Sequence, residues 1–286
     1  MVPLLSMWIL TSLYTFLCIV NVVNTVNQNN QNENVPTQNL KLQLDHEDIV
    51  KDQHRARRST SRKLDIDIVS DLICPWCFIG KRRLEKAIRM LNDDDNSTEE
   101  HYNVRIVWQP FQLNPNIPKE GMDRKNYRTT KFGSWEASKA LDVHVIAVGL
   151  AEDIPFAFGR IERTPNTLDA HRLIWLAQKE GQQDGIVDAL YQGYFVHGLD
   201  IGNRQVLADI ANANGLDAKL VESFLNSNNG VKEVHTEESK IHQMGINCVP
   251  YFIINGKYPI SGAQDAKMLV SYLKEAIDAA RVPLQQ

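Results

Sequence analysis

Two cysteines, Cys74 and Cys77, stand three residues apart in the stretch SDLICPWCFIGKRRLEKAIRM, Ser70 to Met90. Such a pair suits a redox couple, half of a metal site, or two inert buried thiols. A structural zinc site needs four ligands and usually brings a second tight pair. Cys248 with His171 or His242 would have to complete it, and no second pair exists in the chain. A redox couple needs one thiolate to attack a disulfide and a second thiol to resolve the mixed disulfide. The Pro75-Trp76 spacer, after an apolar run and before an amphipathic one, favours that use. Cys74, the N-terminal member, is assigned as nucleophile and Cys77 as resolving thiol.

The flanking elements explain the assignment. From Lys63 to Asp71 the residues alternate, with Leu64, Ile66 and Ile68 on one side, which predicts a strand ending near Leu72. From Pro75 the apolar residues Phe78, Leu84, Ile88 and Leu91 follow helical spacing. Proline suits a first helical turn because its missing N–H has no intrahelical partner there. Cys74 therefore falls at a strand-to-helix junction. Free N–H groups and the helix dipole favour an anion at that position by about 1–2 kcal/mol in good geometry.

Downstream, YNVRIVWQPF predicts a second strand. A long helical block follows, with helices expected near residues 126–148, 167–180, 185–197, 204–214, 217–226 and 231–244. Tyr251–Ile254 then reads as a strand, Asn255-Gly256 as a hairpin turn, Lys257–Ile260 as its return, and the closing run from Asp265 as an amphipathic helix. The order predicts an α/β layer interrupted by a helical insertion at about 120–245, too long to be a loop. Just before the third strand stands Val249-Pro250. A cis bond there would make a tight turn and leave the Val249 backbone free to pair with an extended peptide. A trans proline at a strand start is the alternative.

The rest of the chain bounds the setting. Its 286 residues are 43% hydrophobic with a formal net charge of −4, and the body carries no basic stripe, so nucleic acid is not an expected partner. Residues 1–24 are apolar and free of charged side chains, which predicts a signal peptide; an uncleaved membrane anchor is the alternative. Residues 25–63 read as a disordered polar and then basic linker, with a candidate processing site at Arg55–Arg58. The sequon Asn96-Ser97-Thr98 fits a secretory or extracellular location. With Cys18 in the leader, three cysteines remain, too few for a disulfide scaffold.

Taken together, SDLICPWCFIGKRRLEKAI, VWQPFQLNPNIP, RTPNTLDAHRLIWLA, YFVHGLDIGN, VLADIANANGLD and GINCVPYFIINGKYPISGAQ resemble the thioredoxin-like DsbA family, in its FrnE-like branch. The resemblance covers residues 64–281. It implies a thioredoxin-like α/β fold with a large inserted all-helical subdomain. It also implies disulfide exchange with protein or peptide substrates, without metal or bound organic cofactor, glutathione being a candidate redox co-substrate. Cys74 and Cys77 match the redox pair, Pro250 the cis-proline facing it, and Val249 the residue pairing with substrate. Trp76, Asn166 and His171 become substrate-binding candidates, with capping by Asn166 and packing of His171 as alternatives. Asp71 is a candidate proton acceptor or a solvated turn carboxylate.

Cys248 departs from the family, which usually has glycine two residues before the cis-proline. It is a candidate third thiol or a small buried residue. Trp76 adds no charge beside Cys74, so the expected poise is less oxidising than that of the family's strongest oxidants. Two other functions use the same layout. One is a glutathione-dependent isomerase or transferase of the 2-hydroxychromene-2-carboxylate isomerase or kappa glutathione transferase type, which typically has serine in place of Cys74. The other is a non-catalytic peptide-binding chaperone.

Overall fold

The computed structural model describes residues 62–94 and 102–281. The expected leader, nearly all of the linker and the Asn96 sequon lie outside the described residues. Among the described residues no helix is long and apolar enough to cross a membrane.

Strand β1 (Arg62–Ser70) leads into helix α1 (Pro75–Asp94), followed by β2 (Tyr102–Pro110). After a long excursion come β5 (Tyr251–Ile254), β6 (Tyr258–Ser261) and the last helix, α9 (Ala266–Arg281). The sheet runs β2-β1-β5-β6, with β1 parallel to β2 and the other pairs antiparallel. The parallel pair needs a crossover, which α1 supplies. Asn255, with a positive φ of 51°, and Gly256 form the expected turn of the β5–β6 hairpin.

The alternation in β1 sets the layers. Leu64, Ile66 and Ile68 are buried with Phe252 and Ile254 of β5, Phe78, Leu84 and Leu91 of α1, and Leu269 and Leu273 of α9. Val69 and Ile253 face the other way, into a smaller cluster with Phe111, Ile241 and Ile246. Both faces of the sheet are therefore covered, as a sheet containing parallel strands requires.

The insertion holds seven α-helices among the described residues: α2 (Arg124–Phe132), α3 (Trp135–Leu150), α4 (Leu168–Lys179), α5 (Gln183–Phe195), α6 (Arg204–Ala213), α7 (Ala218–Asn226) and α8 (Val231–Gln243). It also contains a two-residue antiparallel pair, β3 (Met122–Asp123) with β4 (Arg163–Thr164). The single helix expected over 126–148 is two. Gly133 adopts φ 85°, which ends α2, and the Ser134 side chain accepts from the Ala137 N–H to start α3.

The insertion is fastened to α1 by aromatic and charged contacts. Phe78 stacks on Tyr191 of α5, ring centroids 5.1 Å apart, and meets Phe156 edge-on at 5.9 Å. Lys81, almost fully buried, reaches Glu85 within α1 and Asp184 and Asp188 of α5, the latter two at 3.1 and 3.6 Å. Burial opposes its charge, but the Asp184, Glu85 and Asp188 carboxylates outweigh it and hold Lys81 above its ordinary value. A lone buried cation would be costly; three carboxylates around it remove most of that cost.

Candidate active site

The turn from β1 to α1 closes through backbone bonds, Cys74 N–H to Asp71 O at 3.1 Å and Cys77 N–H to Cys74 O at 3.0 Å. Cys74 thus precedes the first helical residue, at the α1 N-terminus, where unpaired N–H groups collect. Both thiols are free. The pair is not equivalent: Cys74 lines a cleft of about 810 Å³ and Cys77 does not. Burial pushes the Cys77 thiol well above its ordinary value, reinforced by a hydrogen bond to Cys74 and by negative charge on Cys74. That asymmetry fits an attacking Cys74 and a proton-holding Cys77.

Opposite the pair, the Val249-Pro250 peptide is cis. The Cys74 thiol donates to the Val249 carbonyl, Sγ to O 3.8 Å. Close approach depends on Gly80 of α1. A Cβ there would meet Pro250 Cγ at 3.0 Å and the Phe252 ring at 3.2 Å, tighter than ordinary contact. Glycine within a helix costs roughly 1 kcal/mol against alanine, and here it lets the proline loop sit directly on α1.

Cys74, Trp76, Val249, Pro250 and Cys248 all line the cleft. Trp76 leans on His144 of α3, ring centroids 5.8 Å apart. The insertion therefore brings an imidazole to the mouth of the site that the CPWC stretch alone does not contain. Cys248 is only half-buried, with Sγ 3.7 Å from Ser261 Oγ, so it is not a core residue.

Asn166 and His171 do not line the cleft. Asn166 Oδ1 accepts from the Leu168 N–H and Asn166 Nδ2 donates to Ile117 O, so the side chain shapes the entry to α4. His171 is buried, with Nε2 3.4 Å from Asp71 Oδ1. Asp71 is itself fully buried, against the expectation of a solvated turn carboxylate. Its other oxygen accepts from the Leu113 N–H at 2.8 Å, tying the redox turn to the segment after β2. Asp71 and His171 thus form a buried pair behind the Cys74 turn and outside the cleft lining expected for His171. Among the described residues no three His, Cys, Asp or Glu side chains stand together as metal ligands.

The far wall of the cleft was not anticipated. Arg124, Arg128 and Lys131 of α2 line it with Asp142 of α3. Their i, i+4, i+7 spacing in RKNYRTTKF places them on one helix face and was a readable signal.

With this geometry in place, residues 65–274 match the DSBA-like thioredoxin domain. The chain belongs to the DSBA-like thioredoxin family. It is 27% identical over 200 residues to the uncharacterized protein YwbO of Bacillus subtilis, covering 69% of this chain and 90% of that one. The probable DsbA oxidoreductase of Streptomyces coelicolor is 31% identical with a TM-score of 0.69, covering 78% of this chain and 93% of that one. A 2-hydroxychromene-2-carboxylate isomerase, 16% identical, shares the fold with a TM-score of 0.55 over 77% of this chain and all of that one. DSBA-like membership thus carries the α/β thioredoxin-like fold and the inserted helices together.

Proposed function

We propose that this DSBA-like protein is a thiol–disulfide oxidoreductase acting on protein or peptide substrates, with Cys74 as the attacking residue. The observation that carries the reading is the Cys74 Sγ facing the Val249 carbonyl across the cis-proline, at a helix N-terminus and open to a cleft. A substrate strand laid along Val249 would present its sulfur to Cys74.

The Cys74 thiolate attacks one sulfur of a substrate disulfide, forming the Cys74–substrate bond and releasing the other sulfur as thiolate. Cys77 then loses its proton and attacks Cys74 Sγ. The substrate leaves as its second thiolate and the Cys74–Cys77 disulfide forms. Two electrons pass from the pair to the substrate; the reverse sequence oxidises a dithiol. In the mixed disulfide Cys74 carries no charge, so its share in holding the Cys77 proton is removed when Cys77 must attack, while burial, the larger cause, still opposes ionisation. The direction of net transfer follows the reduction potential, about 30 mV per tenfold change.

The glutathione-dependent isomerase or transferase reading uses the same cleft but gives Cys77 no task, and a non-catalytic chaperone gives neither thiol one. Assignment to the FrnE-like branch rests on the six matching stretches from SDLICPWCFIGKRRLEKAI to GINCVPYFIINGKYPISGAQ, and a secretory or extracellular workplace on the apolar residues 1–24. Incubating the Cys77→Ser protein with a peptide disulfide tests the exchange reading. Mass spectrometry should find a persistent peptide adduct at Cys74, absent when Cys74 is also replaced. No adduct at Cys74 would contradict it.

A further inference from the structure

The two walls of the cleft differ in charge. The wall from the sheet and α1 presents Cys74, Val249 and Pro250, none formally charged when the thiol is protonated. The wall from the insertion presents three cations, Arg124, Arg128 and Lys131, and Asp142 is the one carboxylate among the described lining residues.

Asp142 is shared. Arg124 Nη2 donates to its Oδ2 at 2.8 Å and Arg128 Nη2 to its Oδ1 at 2.7 Å. Arg128 Nε also donates to Ser138 Oγ, and the same Nη2 to Ser138 O at 3.1 Å. The Arg124 guanidinium lies over the Trp135 and Phe158 rings, at 5.7 and 5.5 Å, and that of Arg128 over Phe132 at 4.8 Å. Lys131 Nζ donates to the Tyr127 hydroxyl at 2.8 Å.

Two rigidly held guanidiniums thus face one carboxylate, and a third cation sits one turn further on. The two guanidiniums and their one carboxylate leave an excess of one positive charge, in a chain whose formal net charge is −4. Burial lowers the Arg128 value, with Asp142 opposing and Arg124 adding to the effect. Such a pair is short of one anion, and low-dielectric walls strengthen its pull on a ligand that supplies one. Guanidinium groups fixed by stacking and by Ser138 are suited to carboxylate oxygens.

We infer that the α2 wall selects substrates carrying a carboxylate close to the reacting cysteine, received at Arg128 and Arg124 while the disulfide lies against Cys74. This inference rests on the exchange reading and names its substrate class. The carboxylate has two sources, an acidic side chain beside a cysteine in a polypeptide or the carboxylates of glutathione disulfide.

The test uses the reduced full-length protein and four probes. Three are peptide disulfides of one sequence, differing only in a Glu, Gln or Lys beside the cysteine, and the fourth is glutathione disulfide. At low ionic strength the Glu peptide should react about tenfold faster than the Lys peptide, with Gln between. The Glu-to-Lys ratio should fall below about twofold in Arg128→Gln and be retained in Arg128→Lys. In the wild type at about 0.5 M salt it should shrink likewise, a readout that holds even if the variant folds poorly. Glutathione disulfide tracking the Glu peptide through these changes would identify the small tripeptide as a source. Tracking the Gln peptide would leave acidic polypeptide segments as the source. Equal rates for the three peptides in the wild type at low salt, or a preference unmoved by both Arg128→Gln and salt, would overturn the inference. No reaction with any probe would instead overturn the exchange reading, and this inference with it.

Discussion

On the sheet side of the cleft, function sits in short-range geometry. Cys74 is placed by a turn that Asp71 closes, and Val249 and Pro250 by a loop resting on Gly80. On the insertion side it sits in charge, with Arg124 and Arg128 sharing Asp142 and His144 against Trp76. On the proposed reading the first wall serves bond exchange and should tolerate little change in position. On the same reading the second serves recognition and should tolerate change in position better than change in charge. Lys81 and Phe78 of α1 join the two, so the helix that opens beside Cys74 is packed against the insertion through α5.

Substitutions on the sheet side should have the largest effects. Cys74→Ser should lower disulfide exchange with a peptide substrate by at least about a thousandfold, because a hydroxyl cannot replace the thiolate, while the thermal midpoint stays nearly unchanged. Retained exchange would move the chemistry away from this wall. The strut comes next. Lys81→Ala leaves the Glu85, Asp184 and Asp188 carboxylates facing each other around a gap. Denaturant unfolding should show a loss of about 2 kcal/mol, below the range for breaking fully buried pairs because Asp184 and Asp188 are partly exposed. A neutral result would mean that the two regions are held by apolar packing alone.

The proton on Cys77 gives a smaller, pH-dependent effect. Its folded value is raised, so its contribution is fully present below the unfolded value near 9.0 and is lost as pH rises toward the folded one. Above about pH 9 the reduced protein should therefore lose stability more steeply than the Cys77→Ala variant, by up to about 1.4 kcal/mol per pH unit. Unfolding curves of the two proteins at matched pH check this, and parallel pH profiles would contradict it. The smallest effect is expected at Cys248. It shares the cleft, but its thiol lies against Ser261 Oγ at 3.7 Å, so Cys248→Ser should change the exchange rate less than about twofold. A larger change would make it a working third thiol.

The sheet side was also the more legible in sequence. Alternation in β1, the proline opening α1, the Asn-Gly turn and helical spacing in α9 are local signals, and each lies where expected. The proposed redox pair is read from the same stretch. The insertion's contribution was harder to read because it depends on contacts between distant residues. Asp71 looks like a turn carboxylate until the Leu113 N–H, 42 positions away, is seen to bury it. The break at Gly133 was readable from a glycine followed by a capping serine, yet the apolar spacing on either side reads as one helix. His144 gives no local sign that it will meet Trp76, and Asn166 and His171 lie in the motif but behind the cleft.

The most direct test of the central claim is to equilibrate the full-length protein across glutathione redox buffers and to quantify each cysteine by mass spectrometry. A reversible Cys74–Cys77 disulfide, fitting a two-electron transition with Cys248 still free, is the predicted result. A pair that never closes, or a glutathione adduct that persists on Cys74 without resolution by Cys77, would contradict it.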